Sequence, residues 1–161
     1  MENRLCVYPG SFDPVTLGHL DIIERVSELY PDVCVAVLDN PEKHPVFTVA
    51  QRMEMLRKAC AHLSNVRIDS FSGLLVDYMR NSNAGIVIRG LRAVTDFEAE
   101  FQMAQVNRQM AKTIETMFLM TSPNYAYISS SVVKQVASFG GDVRMFVPAC
   151  ILPDIERKFQ S

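Results

Sequence analysis

No apolar run in this 161-residue chain is longer than a strand, so no segment is expected to cross a membrane. The opening Met1-Glu2-Asn3-Arg4 leads into no apolar stretch of signal-peptide length, so no secretory leader is expected either. There is no run of Lys or Arg and the formal net charge is −2, so composition lends no support to a nucleic-acid-binding surface. The four cysteines, Cys6, Cys34, Cys60 and Cys150, are scattered, and none belongs to a CxxC pair. That argues against a zinc or disulfide framework and for free thiols in a reducing cytoplasm. No GxGxxG follows the first strand, and neither GxxxxGK[ST] nor GxSxG occurs, which weighs against dinucleotide-binding, P-loop and α/β-hydrolase readings. Internal repeats, low-complexity tracts and linkers are also lacking, and the length suits one domain, residues 1–161.

What is present alternates strand with helix. Arg4-Leu5-Cys6-Val7-Tyr8 reads as a strand, and the loop Pro9-Gly10-Ser11-Phe12-Asp13-Pro14 leads to a helix over about Gly18 to Tyr30. Val33 to Leu38 is continuously apolar, as expected of a strand buried on both faces of a parallel sheet. A loop from Asp39 to Phe47 carries Lys43 and His44 between Pro41 and Pro45. Thr48 and Gln51 have capping-box spacing and open a helix to about His62, with Met53, Leu56, Cys60 and Leu63 as its apolar stripe. Val66-Arg67-Ile68 is a short strand, Ser70 to Gly73 a loop, and Leu74 to Asn81 a short helix. Ile86-Val87-Ile88 is the fourth strand, ending in Arg89-Gly90-Leu91-Arg92. Thr95 and Glu98 suggest a second capping box for a helix reaching Lys112, with Phe97, Phe101, Ala104 and Arg108 on related turns. Met117 to Met120 is the fifth strand. Ile128-Ser129-Ser130-Ser131 opens a helix to Phe139, which Gly140-Gly141 ends, and a last helix ends near Phe159.

This pattern predicts a doubly wound α/β domain of about five parallel strands in the order 3-2-1-4-5, with helices on both faces. The switch point then falls between strands 1 and 4, outside the carboxyl ends. Three polar loops, Tyr8–His19, Arg89–Arg92 and Met120–Ser131, should meet there. His19 stands out. It lies in the first turn of a helix, where the macrodipole disfavours an imidazolium, and the sequence suggests no partner for it. A phosphate at the same helix end would suit both the dipole and the ring.

Thr16-Leu17-Gly18-His19 and Ile128-Ser129-Ser130-Ser131-Val132-Val133-Lys134 resemble the (H/T)xGH and ISSSxxK/R signatures of the nucleotidyltransferase α/β-phosphodiesterase superfamily. With the loop around Lys43 and the block Ile88-Arg89-Gly90-Leu91-Arg92-Ala93-Val94-Thr95-Asp96-Phe97-Glu98-Ala99-Glu100, the chain resembles the bacterial phosphopantetheine adenylyltransferase family over nearly its whole length. The resemblance implies adenylyl transfer from ATP to 4′-phosphopantetheine, giving dephospho-coenzyme A and pyrophosphate. It also implies magnesium bound mainly through the ATP phosphates, feedback inhibition by coenzyme A, a cytoplasmic homohexamer, and no nucleic-acid or membrane partner.

By the same resemblance, His19, Lys43 and Arg92 carry the catalysis. The nucleotide site comprises Ser11, Phe12, Gly18, His19, Gly90, Leu91, Arg92, Glu100 and Tyr125-Ala126-Tyr127-Ile128-Ser129-Ser130-Ser131. The acceptor site comprises Ser11, Lys43, Leu74, Leu75 and Arg89, with no protein ligands for a metal. Read without the resemblance, many of these have plainer roles: a turn serine, a solvated loop lysine, core leucines, a helix-capping serine. Two arginines ending a buried strand are harder to dismiss. Gln135 and Tyr127 depart from the family's usual Glu and Phe. The rival readings are a related adenylyl- or cytidylyltransferase, a class I aminoacyl-tRNA synthetase fragment, which would need a KMSKS-like loop that is missing, and a non-catalytic nucleotide sensor.

Overall fold

The computed structural model describes residues 5–160, the side chain of Val94 apart, so Arg4 and the rest of Met1–Arg4 lie outside the described residues. Five strands, β1 (Leu5–Gly10), β2 (Val33–Asp39), β3 (Val66–Ser72), β4 (Ala84–Leu91) and β5 (Glu115–Met120), form one parallel sheet in the order β3-β2-β1-β4-β5. This is the order predicted from right-handed crossovers. The central β1 pairs with β2 from Cys6 opposite Val33 to Gly10 opposite Val37, and with β4 through Leu5, Cys6 and Val7.

Side chains alternate across the sheet. Cys6, Tyr8, Val33, Val35, Val37 and Ile88 face one layer, built from α1 (Leu17–Leu29), α2 (Val49–Ala59), α5 (Ser130–Ser138) and α6 (Leu152–Phe159). Leu5, Val7, Cys34, Ala36 and Val87 face the other, where α3 (Leu75–Asn81) packs Val76 and Met79, and Ala111 and Ile114 follow α4 (Val94–Met110). Burial on both faces explains why β1 and β2 read as continuous apolar runs. The cysteines are free. Cys6, Cys34 and Cys60 are buried, and burial pushes the Cys6 and Cys60 thiols up to about 12. Cys150 is exposed.

Several elements differ from the sequence expectation. The strand at 66–68 runs on to Ser72, because β2 pairs with it residue by residue to Asp39 opposite Ser72. Arg89, Gly90 and Leu91 are strand residues, held by β5 through Phe118, Leu119 and Met120. The Thr48–Gln51 capping box forms: the Gln51 N–H donates to Thr48 Oγ1 (3.2 Å) and the Thr48 N–H to Gln51 Oε1 (3.0 Å). The helix it opens ends at Ala59, and its buried side includes Arg52, Met55, Leu56 and Ala59. The second box, at Thr95 and Glu98, does not form. Its helix starts at Val94 behind Ala93, which makes no side-chain cap bond, and Asp96 instead accepts the Arg92 N–H (3.2 Å). An acid in the first turn is favourable there whichever donor it meets.

Met79 is wholly buried beneath the sheet. Met79→Ala should therefore lower unfolding free energy by about 2–4 kcal/mol through lost burial and an unfilled cavity. Urea unfolding of the two proteins measures it; a loss below about 1 kcal/mol would mean that this layer closes up around the deletion.

Candidate active site

The first crossover turns sharply beyond β1. Phe12 takes a left-handed backbone conformation (φ 47°) although its ring is buried. Such conformations are uncommon for bulky residues and persist only where the surroundings hold them. Here the ring sits edge-on to Tyr8 (centroids 5.3 Å) and to His19 (5.0 Å), so the strained turn carries the floor on which the imidazole rests. Above it opens a cavity of about 400 Å³ between the carboxyl ends of β1 and β4, lined in part by Ser11, Thr16, Gly18, His19, Arg89 and Arg92. This is the switch point of the sheet.

His19 closes a capping box with Thr16. Its N–H donates to Thr16 Oγ1 (3.3 Å), and its Nδ1 accepts the Thr16 N–H (3.0 Å). A neutral imidazole with Nδ1 accepting carries its proton on Nε2. Desolvation, then Arg92 and Arg89, push its pKa down to about 4, so the ring is neutral at pH 7. The ring is therefore a donor of fixed tautomer that keeps its charge state. It also has the structural partner that the sequence did not suggest, and it is half-buried. Gly18 is a different case. A methyl group there would meet nothing closer than Thr16 Oγ1 at 3.5 Å, so the fold itself does not require glycine at this position.

The two arginines are held unequally. Arg89 donates through Nε and Nη2 to the two oxygens of Glu100, both at 2.6 Å, and through Nη1 to the Pro9 carbonyl (3.0 Å). Burial alone would lower its pKa; the Glu100 carboxylate more than offsets this and keeps the guanidinium charged. Arg92 makes longer bonds, to Asp96 at 3.3 and 3.4 Å and to the Ile128 carbonyl at 3.4 Å, and its side chain is more exposed. Asp96 and Glu100 lie one turn apart on α4, so one helix face supplies both counter-charges.

A second cavity of about 390 Å³ adjoins the first and shares Pro9, Gly10, Ser11, Arg89 and Glu100 with it. Its remaining walls are largely apolar, with Leu38, Phe71, Leu74, Leu75 and Met103, and Lys43 also lines it. Lys43 lies in a single 3-10 turn, Pro41–Lys43, on an exposed loop. The loop is pinned at both ends. Arg52, only 1% exposed, donates to the carbonyls of Leu38 (3.2 Å), Phe47 (3.1 Å) and Ser11 (2.8 Å). Asp13, 3% exposed, accepts the N–H groups of Val46 and Phe47, each at 2.9 Å. The third loop is anchored on α1: Asp21 accepts the Ser122 N–H (3.1 Å) and hydroxyl (2.8 Å), and Arg25 donates to the Met120 carbonyl (2.7 Å).

Of the residues expected at a nucleotide site, Ser11, Phe12, Gly18, His19, Gly90, Arg92, Glu100, Ile128, Ser129 and Ser130 line the first cavity. Leu91, Tyr125, Ala126, Tyr127 and Ser131 are outside its lining, and Tyr127 is exposed with its ring against Phe146. Ser129 caps α5 by accepting the Val132 N–H (3.1 Å), while Ser130 donates to the Pro14 carbonyl (2.8 Å). The expected acceptor residues Ser11, Lys43, Leu74, Leu75 and Arg89 all line the second cavity. Leu74 is 54% exposed, which a core role does not explain. Sequence reasoning missed Asp96 and Arg52. An arginine on a helix reads as a solvent-facing charge, and only the three carbonyls that converge on Arg52 reveal otherwise.

Residues 7–136 match the family model of cytidylyltransferase-like proteins, which makes the class that of the nucleotidyltransferases. A crystal structure from Vibrio parahaemolyticus, provisionally described as a nicotinate-nucleotide adenylyltransferase, shares the fold with a TM-score of 0.63 at 16% identity, covering 99% of each chain. Proteins called phosphopantetheine adenylyltransferase are far closer in sequence. That of Heliobacterium modesticaldum is 53% identical over 96% of this chain and 92% of its own length. That of Clostridium perfringens is 52% identical over 98% and 96%. The chain belongs to the phosphopantetheine adenylyltransferase family.

His19 serves both the cap and the cavity, and glutamine separates the two because it also completes a capping box at this position. His19→Gln should keep the melting temperature within a few degrees while kcat falls by about 10²–10³, the usual cost of losing a preorganised donor. His19→Ala should lose the same activity and about 1 kcal/mol of stability as well. Between pH 5 and 8 the wild-type kcat should show no inflection from His19. Because the folded-state pKa is about 4 against 6.5 ordinarily, the unfolded chain binds a proton that the native chain refuses. Its contribution to stability is full above about pH 6.5 and is lost as pH falls toward 4.

Proposed function

We propose that this protein transfers the adenylyl group of ATP to 4′-phosphopantetheine, releasing pyrophosphate and forming dephospho-coenzyme A, a step of coenzyme A biosynthesis. The observation that carries this reading is the pairing of a polar, arginine-lined cavity with an adjoining apolar one through a shared seam at Ser11 and Arg89. The triphosphate suits the first, and a long, partly apolar arm suits the second. The acceptor's phosphate oxygen attacks the α-phosphorus in line, a new P–O bond forms, and the bond to the bridging oxygen of pyrophosphate breaks. The nucleophile is already anionic, so the protein supplies position and charge rather than a base.

His19 Nε2–H donates to the α-phosphate as its charge grows, and the neutral ring does so without transferring its proton. Arg92, loosely held by Asp96, exchanges that carboxylate for nucleotide phosphate, and Ser129 and Ser130 meet the nucleotide at the start of α5. Lys43 neutralises the phosphate between the two substrates. Arg89, firmly held by Glu100, keeps two guanidinium hydrogens for the acceptor. Gly18 leaves room for a phosphate beside the helix end.

Magnesium accompanies the triphosphate. Among the described residues no three His, Cys, Asp or Glu side chains gather into a cage, and the carboxylates nearest the cavity, Asp96 and Glu100, already bind arginine. Those two carboxylates are therefore engaged before any ion arrives. The ion would be carried by phosphate oxygens and water and would neutralise charge there.

Among the described residues no helix is long and apolar enough to cross a membrane. Free, buried thiols suit the cytoplasm. Phe97, Phe101, Val106 and Met110 on α4, with Met117 and Met120 on β5, are exposed beside an unpaired sheet edge. A second copy of the chain covers this face in the homo-oligomer, a hexamer by family resemblance. Coenzyme A, which joins the pantetheine arm to an adenine nucleotide, would fill both cavities as a feedback inhibitor.

The test is pyrophosphate release from ATP and magnesium with different acceptors. Phosphopantetheine should exceed a short alkyl phosphate by at least about 100-fold in kcat/KM, since remote binding energy is expressed in the transition state. Release with nicotinamide mononucleotide instead would assign another nucleotidyltransferase, and ATP binding without turnover a sensor. For the assembly, Phe101→Glu should reduce the mass measured by sedimentation; an unchanged mass would move the interface elsewhere.

A further inference from the structure

Lys134 lines neither cavity. Although it ends the Ile128–Lys134 signature, its ammonium lies 3.0 Å from Asp13 Oδ2, and that carboxylate is almost wholly buried. Asp13 also binds the Val46 and Phe47 N–H groups, at the near end of the Lys43 loop. One turn earlier on the same face of α5, Ser130 holds the Pro14 carbonyl.

We propose that Lys134 is a positioning residue that acts through Asp13 on Lys43, so that the helix presenting serines to the nucleotide also sets the lysine between the substrates. This rests on the role given to Lys43 above. The physical reason is charge balance. Arg52 also faces the Asp13 carboxylate but spends its hydrogen bonds on carbonyls, so Lys134 is the cation bonded to it. A buried carboxylate left with two backbone donors keeps much of its desolvation cost, and removing its bonded cation frees it to seek water. Such a movement pulls on Val46 and Phe47 and shifts the loop that ends in them. The Lys43 side chain makes no hydrogen bond or ion pair among the described residues; its backbone N–H donates to the Asn40 carbonyl (3.2 Å) inside the 3-10 turn, and the place of that turn is set by this anchoring together with Arg52. A phosphate-binding lysine would instead point its ammonium into the cavity.

The experiment compares wild type, Lys43→Ala, Lys134→Met, Lys134→Arg and the double variant Lys43→Ala/Lys134→Met, with kcat and KM for both substrates and the exchange rates of the Val46 and Phe47 amides. Lys134→Met should lower kcat by about tenfold or more, the scale of a displaced catalytic group, with KM for ATP changing less than about threefold. The two amides should exchange faster, and Lys134→Arg should restore both readouts. The double variant should be no slower than Lys43→Ala alone, because one effect passes through the other. Multiplying losses, or a rise confined to KM for ATP, would make Lys134 a direct phosphate ligand and overturn the proposal. A lowered melting temperature with unchanged kcat would make it purely structural. A normal Lys43→Ala would overturn the role of Lys43 itself. Should Lys134→Met not fold, Lys134→Gln, uncharged but still able to donate to Asp13, carries the same comparison.

Discussion

The buried carboxylate of Asp13 is the constraint on which the site depends. It lies at the sharp turn after β1, where the chain must leave the sheet and enter α1. Its two oxygens take N–H groups from the loop after β2 and an ammonium from α5, so three separate crossovers meet on one group. Arg52 does the converse with the opposite charge, gathering three carbonyls from the ends of β1, β2 and the Lys43 loop. An unpaired buried charge costs several kcal/mol, so neither group tolerates a loose loop around it. The loops at the carboxyl edge are consequently tied to buried charges at their ends, although Lys43 itself lies on an exposed turn.

The charges lining the cavity follow a graded scheme. His19 is neutral because desolvation and two guanidinium groups oppose its protonation. Arg89 is locked bidentately, and Arg92 is held at longer range. Bidentate, partly buried pairs are strong and resist exchange, whereas exposed pairs are worth a fraction of a kcal/mol and yield to a better anion. One arginine is thus held firmly in place, while the other is held at longer range and is freer to exchange partners. The chain can carry net charge −2 and still concentrate cations where a triphosphate would sit.

The two adjoining cavities differ in character in the same way. Backbone N–H groups, hydroxyls and guanidinium groups surround one, and leucines, Phe71 and Met103 surround the other. The division originates in topology. β1 and β4 part at the switch point, and α4 lends Asp96 to the first cavity, Met103 and Ala104 to the second, and Glu100 to the seam between them.

Much of the fold was legible in the sequence because its causes are local. The apolar runs of β1 and β2 report burial on both faces, and the Thr48–Gln51 box forms from groups three residues apart. Strand order followed from crossover handedness, and the convergence of the three loops followed from strand order. Where another partner competed, near or far along the chain, the reading failed. Asp96 bonds Arg92 rather than allowing the cap at Thr95, and β3 and β4 run past their apolar cores because neighbouring strands pair with them. The site divides in the same way. Sequence motifs singled out His19, Lys43, Arg89 and Arg92 as residues, but not their states. The neutrality of His19, the firm hold on Arg89 and the burial of Arg52 arise from desolvation and from partners far along the chain. Lys134 and Asp13 stand 121 positions apart. Sequence spacing carries the chemistry of each side chain, while charge state and position depend on what the folded chain brings beside it and how much water it removes.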